Sequence, residues 1–194
     1  MESMKNKIIV KAETTSYSYV TLHNAAHYAL EDAKNSEHSR FFNALTAMLY
    51  SAFSLEAYLN HLGNSEFQNW EKIERSKSPK QKLDMLVDKR GFVPDYSKKP
   101  FDVFDEIFKF RKKIVHGKTE HLKIEEVREG EIGDTPETPM TSWEKSTTLE
   151  NAISFVEGSA EIITELHPIF GYKSHPFATE YRSSWEVKSF GDNS

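Results

Sequence analysis

The feature that most constrains the fold of this chain is a long apolar stripe near its middle. Apolar residues recur by four and three residues at Phe41, Leu45, Met48, Ala52, Leu55, Leu59 and Leu62. This spacing places them on one face of a helix, and a second row from Phe42 through Phe53 runs beside the first. The second row continues into Glu56 and Asn60. Two apolar stripes predict a central helix that packs on more than one side and partly buries two polar groups.

Helical periodicity also extends over the segments 17–35, 66–75, 79–89, 101–116 and 147–170. The central helix is predicted to end at Gly63-Asn64, because glycine readily adopts the left-handed conformation found at helix C-termini. We therefore predict an all-α protein, an up-and-down bundle of four main helices with short accessory helices. A length of 194 residues favours one domain over 1–194, with its helical core at about 17–170.

Three segments lack helical periodicity. The β-branched run Ile8-Ile9-Val10 predicts an edge strand or an ordered arm. Residues 119–145 contain glycines, prolines and many acids, which predicts a solvent-facing insertion with a small hairpin. The tail 171–194 is rich in aromatic residues without a period, so we expect it to lie on the surface rather than form an element. Trp70, Trp143 and Trp185 are interpreted as core or interface residues.

Composition excludes several classes of site and location. The chain has no cysteine, which excludes disulfides, thiolate metal sites and cysteine nucleophiles. Its longest uncharged apolar stretch, 41–55, is interrupted by polar residues and is shorter than the roughly 20 residues of a membrane span. No apolar segment of a secretion signal follows Met1, so we predict a cytoplasmic protein. The net charge of −5 means that binding to nucleic acid would need a local basic patch.

One such patch precedes the insertion. It consists of Lys109, Arg111, Lys112, Lys113 and Lys118, with no acidic residue between Ile107 and Thr119. A cluster of cations can bind an RNA backbone, and the four lysines are the predicted RNA-binding residues. The alternative is an ordinary solvated helix end, because cations are favoured in the last turn of any helix.

Arg111 and His116 stand five residues apart at the end of a predicted helix, directly before Gly117. This arrangement resembles the Arg-x4-His motif of the HEPN superfamily. The segment Ala52–Asn60 is similar to the family's core helix, which often carries a serine-hydrophobic-Glu pattern and a following Asn. HEPN proteins are small helical bundles that include toxins, abortive-infection proteins and CRISPR-linked nucleases. The chain departs from the nuclease pattern at Lys112, where those proteins commonly have a small polar residue.

The resemblance implies a metal-independent endoribonuclease of the toxin or phage-defence kind. HEPN dimers bring two motifs into one cleft, so a homodimer is expected, and a cognate antitoxin is an expected partner. His116 would move protons between the ribose 2′-hydroxyl and the leaving oxygen, and Arg111 would hold the phosphate, with Glu56 in support. The products implied are a 2′,3′-cyclic phosphate and a 5′-hydroxyl, and neither a metal nor another cofactor is expected.

Two alternatives remain open at the level of the sequence. In the first, the chain is a catalytically inactive HEPN module that dimerises or binds a nucleotide or a protein. Arg111 then forms an ion pair with Glu56, and His116 only caps its helix. In the second, His23, His27 and Glu31 bind a metal from one helix face. A plain polar helix face is the simpler interpretation of that row.

Overall fold

The computed structural model describes residues 8–125, 129, 135, 138–178 and 181–189. Its elements, in chain order, are β1 (Ile8–Ser16), α1 (Ser18–Asn35), α2 (Arg40–Glu66), α3 (Trp70–Ser76), α4 (Pro79–Lys89), α5 (Phe104–Val115), α6 (Ser142–Ser146), α7 (Leu149–Ile169) and β2 (Tyr181–Ser189). A 3-10 turn, Phe101–Val103, leads into α5. The prediction of a mainly helical protein is confirmed.

The helix α2 is the centre of the bundle, as its two apolar stripes predict. It packs against α1 and α7 over most of its length and against α4 and α5 on another side. Met48, Ala52, Leu55, Leu59 and Leu62 of the first stripe are fully buried. No helix among the described residues is both long enough and apolar enough to cross a bilayer.

The predicted end of α2 is wrong, because the helix continues through Gly63 and Asn64 to Glu66. Gly63 has a packing role instead of a terminating one. A Cβ atom at this position would lie 2.0 Å from Cε2 of Trp70, so only glycine lets the Trp70 ring lie against the helix backbone. The next predicted helix begins correspondingly later, at Trp70.

The expectation that the C-terminal tail forms no element is also wrong. Residues 181–189 form β2, which pairs antiparallel with β1, so that Val10 lies opposite Val187 and Ala12 opposite Trp185. The all-α prediction therefore holds for the bundle but not for the whole chain. A strand of β1 alone could not satisfy its backbone groups, and the pairing partner is more than 160 positions away, beyond the reach of local patterns.

The ribbon of β1 and β2 has one apolar and one charged face. Residues that pair directly share a face, so Ile8, Val10, Ala12, Trp185 and Val187 lie together. The described side chains of the ribbon are exposed, and that of Trp185 is 76% exposed. Trp185 is thus no core residue of the single chain, whereas Trp70 is buried and Trp143 half-buried.

The insertion 119–145 lies partly outside the described residues. Its described part contains no strand, and the hairpin stays a prediction for the remainder. It ends in the unpredicted helix α6. Thr141 accepts a hydrogen bond from the Glu144 N–H, and the Glu144 carboxylate accepts one from the Thr141 N–H. The motif Thr-x-x-Glu is a capping box, which is the signal that could have predicted this helix.

Candidate functional site

Three charged side chains from three helices meet beside α2. The Glu56 carboxylate of α2 lies between Lys82 of α4 and Arg111 of α5. Its Oε2 atom is 2.9 Å from Nη2 of Arg111, and its Oε1 atom is 3.2 Å from Nζ of Lys82. One carboxylate therefore pairs with two cations, and the cluster carries a net positive charge. We call Glu56, Lys82 and Arg111 the charged cluster.

Local sequence signals position Lys82. Ser78 accepts a hydrogen bond from the Gln81 N–H in a capping box, and Pro79 occupies the first turn, so α4 begins at a defined residue. Leu83 and Leu86 then bury one side of α4 in the core. Lys82 lies one turn before Leu86 on the same face and is only 2% exposed. A buried ammonium group requires a partner, and Glu56 supplies it.

Arg111 is held more loosely and keeps part of its hydrogen-bonding capacity. Its side chain is 29% exposed, and its guanidinium lies 5.9 Å from the centre of the Phe53 ring. Its Nε atom is buried and has no hydrogen-bond partner in the part of the chain that the structure describes. The same is true of Oδ1 of Asn60, one turn after Glu56 on α2. Unpaired buried polar atoms of this kind are uncommon in folded proteins.

Unlike Lys82 and Arg111, His116 is exposed, because it lies at the solvent-facing end of α5. It is the C-terminal cap residue, and its backbone N–H donates to the Lys112 carbonyl oxygen at 3.1 Å. Its imidazole is exposed and makes no hydrogen bond or ion pair with another described residue. The imidazole can therefore exchange protons with a ligand arriving from solvent. The structure brings Arg111 and Glu56 together, but it does not join His116 to either of them.

The predicted RNA-binding lysines surround this helix end. Lys109, Lys112 and Lys113 of α5 and Lys118 beyond it are all exposed. The Lys113 ammonium group donates to Oγ of Ser142 at the start of α6. The other three ammonium groups have no ion-pair partner among the described residues. A phosphate chain lying across this end of α5 would therefore meet several exposed cations.

The alternative metal site on α1 would use His23, His27 and Glu31, but these side chains do not come together as ligands. The His23 ring stacks on Phe177 with 3.9 Å between ring centres, and Glu31 pairs with Lys34 at 2.8 Å. His27 is exposed. Within the described ranges, no group of three or more histidines, aspartates and glutamates is arranged to hold a metal ion.

Sequence reasoning missed Lys82. Its position did carry a signal, because a lysine one turn before Leu86 lies on the apolar face of its own helix. Such a lysine must either reach out to solvent or find a carboxylate. The partner on α2 could not be identified from α4 alone.

Comparison with known proteins adds no relative. No family model, curated protein or solved structure matches this chain.

Proposed function

We propose that this protein is a metal-independent endoribonuclease of the HEPN type that acts as a dimer. The observation that carries the proposal is the arrangement of α5. Its Arg111 is oriented by Glu56 at 2.9 Å, and its C-terminal cap residue His116 is exposed among exposed lysines, without a side-chain partner among the described residues. Oriented guanidinium, free imidazole and a cationic surface are the groups that metal-free RNA cleavage requires.

The reaction is an intramolecular transfer of the phosphoryl group. The 2′-oxygen of the ribose attacks the adjacent phosphorus atom, and the bond from phosphorus to the 5′-oxygen of the next nucleotide breaks. The imidazole of His116 accepts the 2′-hydroxyl proton, or donates a proton to the departing 5′-oxygen. With two copies of His116 in one dimer, one imidazole can serve each step. Products are a 2′,3′-cyclic phosphate and a 5′-hydroxyl.

Arg111 and the lysines contribute electrostatics. The guanidinium stabilises the negative charge that develops on the phosphoryl oxygens, and the salt bridge to Glu56 fixes its orientation beforehand. The exposed Lys109, Lys112 and Lys118 hold the flanking phosphates, so their contribution to binding should fall as salt concentration rises. Lys82 stabilises Glu56 from the buried side of the cluster.

The test is cleavage of mixed-sequence RNA by the purified chain in the presence of EDTA. We expect cleavage by the wild type, loss of cleavage in His116→Ala, and retention in His121→Ala. His121 is exposed and lies five residues further along the chain, so it controls for removal of an imidazole near the patch. Both variants should melt like the wild type.

Product ends and association state complete the test. The 3′ ends should be cyclic phosphates, and the active species should sediment as a dimer. A folded chain that leaves all RNA intact in EDTA would contradict the proposal. Cleavage that survives in His116→Ala would contradict the assigned role of the imidazole.

One observation favours the alternative, a non-catalytic module. The Arg111 guanidinium is already paired with Glu56 and packed near the Phe53 ring, which is how a purely structural arginine is held. This alternative expects no cleavage and no effect of His116→Ala on any property of the folded protein. The same assay therefore distinguishes the two functions.

A further inference from the structure

A cavity lies on the other side of α2 from the charged cluster, at the base of the ribbon. It has a volume of about 320 Å³ and lies between the start of α1, the end of α2 and the loop after α7. Tyr17, Tyr19, His61, His167, Tyr172 and His175 contribute aromatic rings to its wall. We call these residues the aromatic pocket. Its volume falls within the roughly 300–1,000 Å³ of small-molecule sites.

The rings of the aromatic pocket are ordered by contacts with each other and with the loop. His167 and Tyr172 are stacked, with ring centres 4.7 Å apart. Tyr19 packs on His61 at 5.4 Å, and its hydroxyl donates to the carbonyl oxygen of Pro176 at 3.0 Å. The loop that closes one side of the cavity is therefore pinned to α1. Such a wall presents faces on which a further flat ring can stack.

The described part of the wall carries no permanently charged side chain. None of the described residues that line the cavity is an aspartate, glutamate, lysine or arginine. Burial lowers the pKa of both His61 and His167, and burial raises the pKa of Tyr19 to about 12. These imidazoles and phenols are thus neutral hydrogen-bonding groups. A neutral imidazole offers one donor and one acceptor, whereas an imidazolium offers only donors.

His167 has a buried ring nitrogen without a hydrogen-bond partner among the described residues. Its side chain is only 4% exposed, and its Nδ1 atom lies 3.0 Å from the Tyr58 hydroxyl. Burial raises the pKa of Tyr58, so the hydroxyl keeps its proton, and we assign this hydroxyl as the hydrogen-bond donor to Nδ1, its one described partner. The neutral ring then carries its own hydrogen on Nε2.

The Nε2 atom is buried without a hydrogen bond to any described residue. The Ser174 backbone comes close enough to raise the pKa of His167 slightly against the larger effect of burial, but it does not reach hydrogen-bond geometry. An unpaired buried donor destabilises the free protein, and an acceptor on a ligand would remove that cost.

We propose that the aromatic pocket binds a nucleobase, in the form of a neutral nucleoside. A base is planar and uncharged, stacks on tyrosine and histidine rings, and displays ring nitrogens or carbonyl oxygens that accept from Nε2 of His167. The absence of cations from the wall disfavours a phosphate, which selects the nucleoside over the nucleotide. This inference does not rest on the nuclease proposed above, because it involves neither Arg111 nor His116.

The experiment titrates the full chain with adenosine, guanosine, cytidine and uridine, and with the matching 5′-monophosphates. Calorimetry gives the affinities, and NMR of the imidazole nitrogens reports on His61 and His167 directly. We expect saturable binding of at least one nucleoside, which shifts the His167 signals. The matching monophosphate should bind no more tightly.

Two variants and one control locate the site. His167→Phe keeps the ring but removes the donor, and Tyr172→Leu removes a stacking face while leaving His167 intact. Each should weaken binding at least tenfold, whereas the exposed His121→Ala should bind like the wild type. Thermal melting establishes that each variant is folded, and Tyr172→Leu remains informative if His167→Phe does not fold.

Three outcomes would overturn the proposal. The first is the absence of saturable binding at millimolar nucleoside. The second is binding that both variants leave unchanged, which would place the ligand elsewhere. The third is binding of a monophosphate at least tenfold more tightly than its nucleoside, which would identify a phosphate site. RNA cleavage by the same preparation is measured separately, so failure of one proposal leaves the other intact.

Discussion

The two sides of α2 bury polar groups in opposite ways. On one side, the Glu56 carboxylate forms ion pairs with both Lys82 and Arg111. On the other side, Tyr58 and His167 share a hydrogen bond, and burial keeps the imidazole neutral. Burying an unpaired charge costs far more than burying a neutral polar group, so a buried polar site needs either paired charges or neutral hydrogen-bonded groups.

The difference determines how each side responds to change. The charged cluster depends most on Glu56, because removal of this shared carboxylate leaves the Lys82 ammonium group buried without a partner. The neutral side depends on pH, because protonation converts neutral imidazole rings into buried cations.

Removal of the shared carboxylate should have the largest effect. We expect Glu56→Ala to lower the free energy of unfolding by about 3–5 kcal/mol, because the Lys82 ammonium group is left buried and unpaired. Chemical denaturation of the wild type and the variant measures this difference. Glu71→Ala, which removes an exposed carboxylate on α3, is the control and should change stability by less than about 0.5 kcal/mol. Equal effects of the two variants would show that the cluster is not a buried ion pair.

Removal of one hydrogen bond between neutral groups should lower the free energy of unfolding by a smaller amount. Tyr58→Phe deletes the hydroxyl that lies 3.0 Å from Nδ1 of His167 and leaves that nitrogen buried without a partner. We expect a loss of about 1–3 kcal/mol by the same measurement. Tyr50→Phe makes the identical chemical change at an exposed position of α2 and should be nearly silent. If Tyr58→Phe left the free energy of unfolding unchanged, water or another group would have to replace the hydroxyl.

Acidification should first lower the free energy of unfolding through the buried neutral histidines. Burial lowers the pKa of His61 and His167, and burial together with His27 and His175 lowers the pKa of His23 to about 4. Unfolded histidines titrate near 6.5, so the unfolded chain binds more protons below that pH. Stability should therefore be highest above pH 6.5 and fall as pH decreases toward the folded pKa values.

The pH window separates the histidines from the carboxylates. Ion pairs and hydrogen bonds lower the pKa of Glu66 and Glu144 below 4.5, so their contributions are lost only in stronger acid. Thermal unfolding between pH 7 and 5 thus reports mainly on the imidazoles. His23→Gln should reduce the pH dependence, while His121→Ala should not. A flat profile in the wild type would contradict the neutral-burial interpretation.

The smallest effect on stability is expected at the exposed edge of the charged cluster. Arg111→Lys keeps a positive charge near Glu56 but removes the planar guanidinium. Because Arg111 is 29% exposed and Lys82 keeps its own contact, we expect a loss below about 1 kcal/mol. RNA cleavage should nevertheless fall strongly, since lysine cannot hold a phosphate bidentately. Unchanged cleavage in this variant would remove Arg111 from the proposed mechanism.

Much of the helical framework could be predicted from the sequence because its signals are local. The α4 boundaries, Pro79 and Lys89, match the prediction, since Ser78 and Pro79 mark the start of the helix chemically. The error at Gly63 has a tertiary cause. Glycine predicts a helix end because its backbone is flexible. Here, however, glycine is needed because the Trp70 ring occupies the space that a side chain would fill. Local patterns cannot distinguish these two reasons for the same residue.

The functional residues also divide into those that local sequence patterns indicate and those that only the tertiary structure brings together. The family resemblance of the α5 motif singles out Arg111 and His116, and the polar positions on α2 single out Glu56; their catalytic roles stay predictions. The aromatic pocket was not predicted, because its residues come from the start of α1, the end of α2, the end of α7 and the loop beyond. The tail showed no period, so nothing in its sequence indicated that it returns to the first helix.

The order of residues alone determined which segments are helices, which faces of them are apolar, and that a basic helix end carries an arginine and a histidine. These properties depend on neighbours within a few turns, and the 3.6-residue period records them. Only the tertiary structure decided that Lys82 reaches Glu56, that β2 pairs with β1, and that His167 keeps a buried donor. Each of these depends on groups brought together by chain closure across long distances, where packing and desolvation rather than spacing set the outcome.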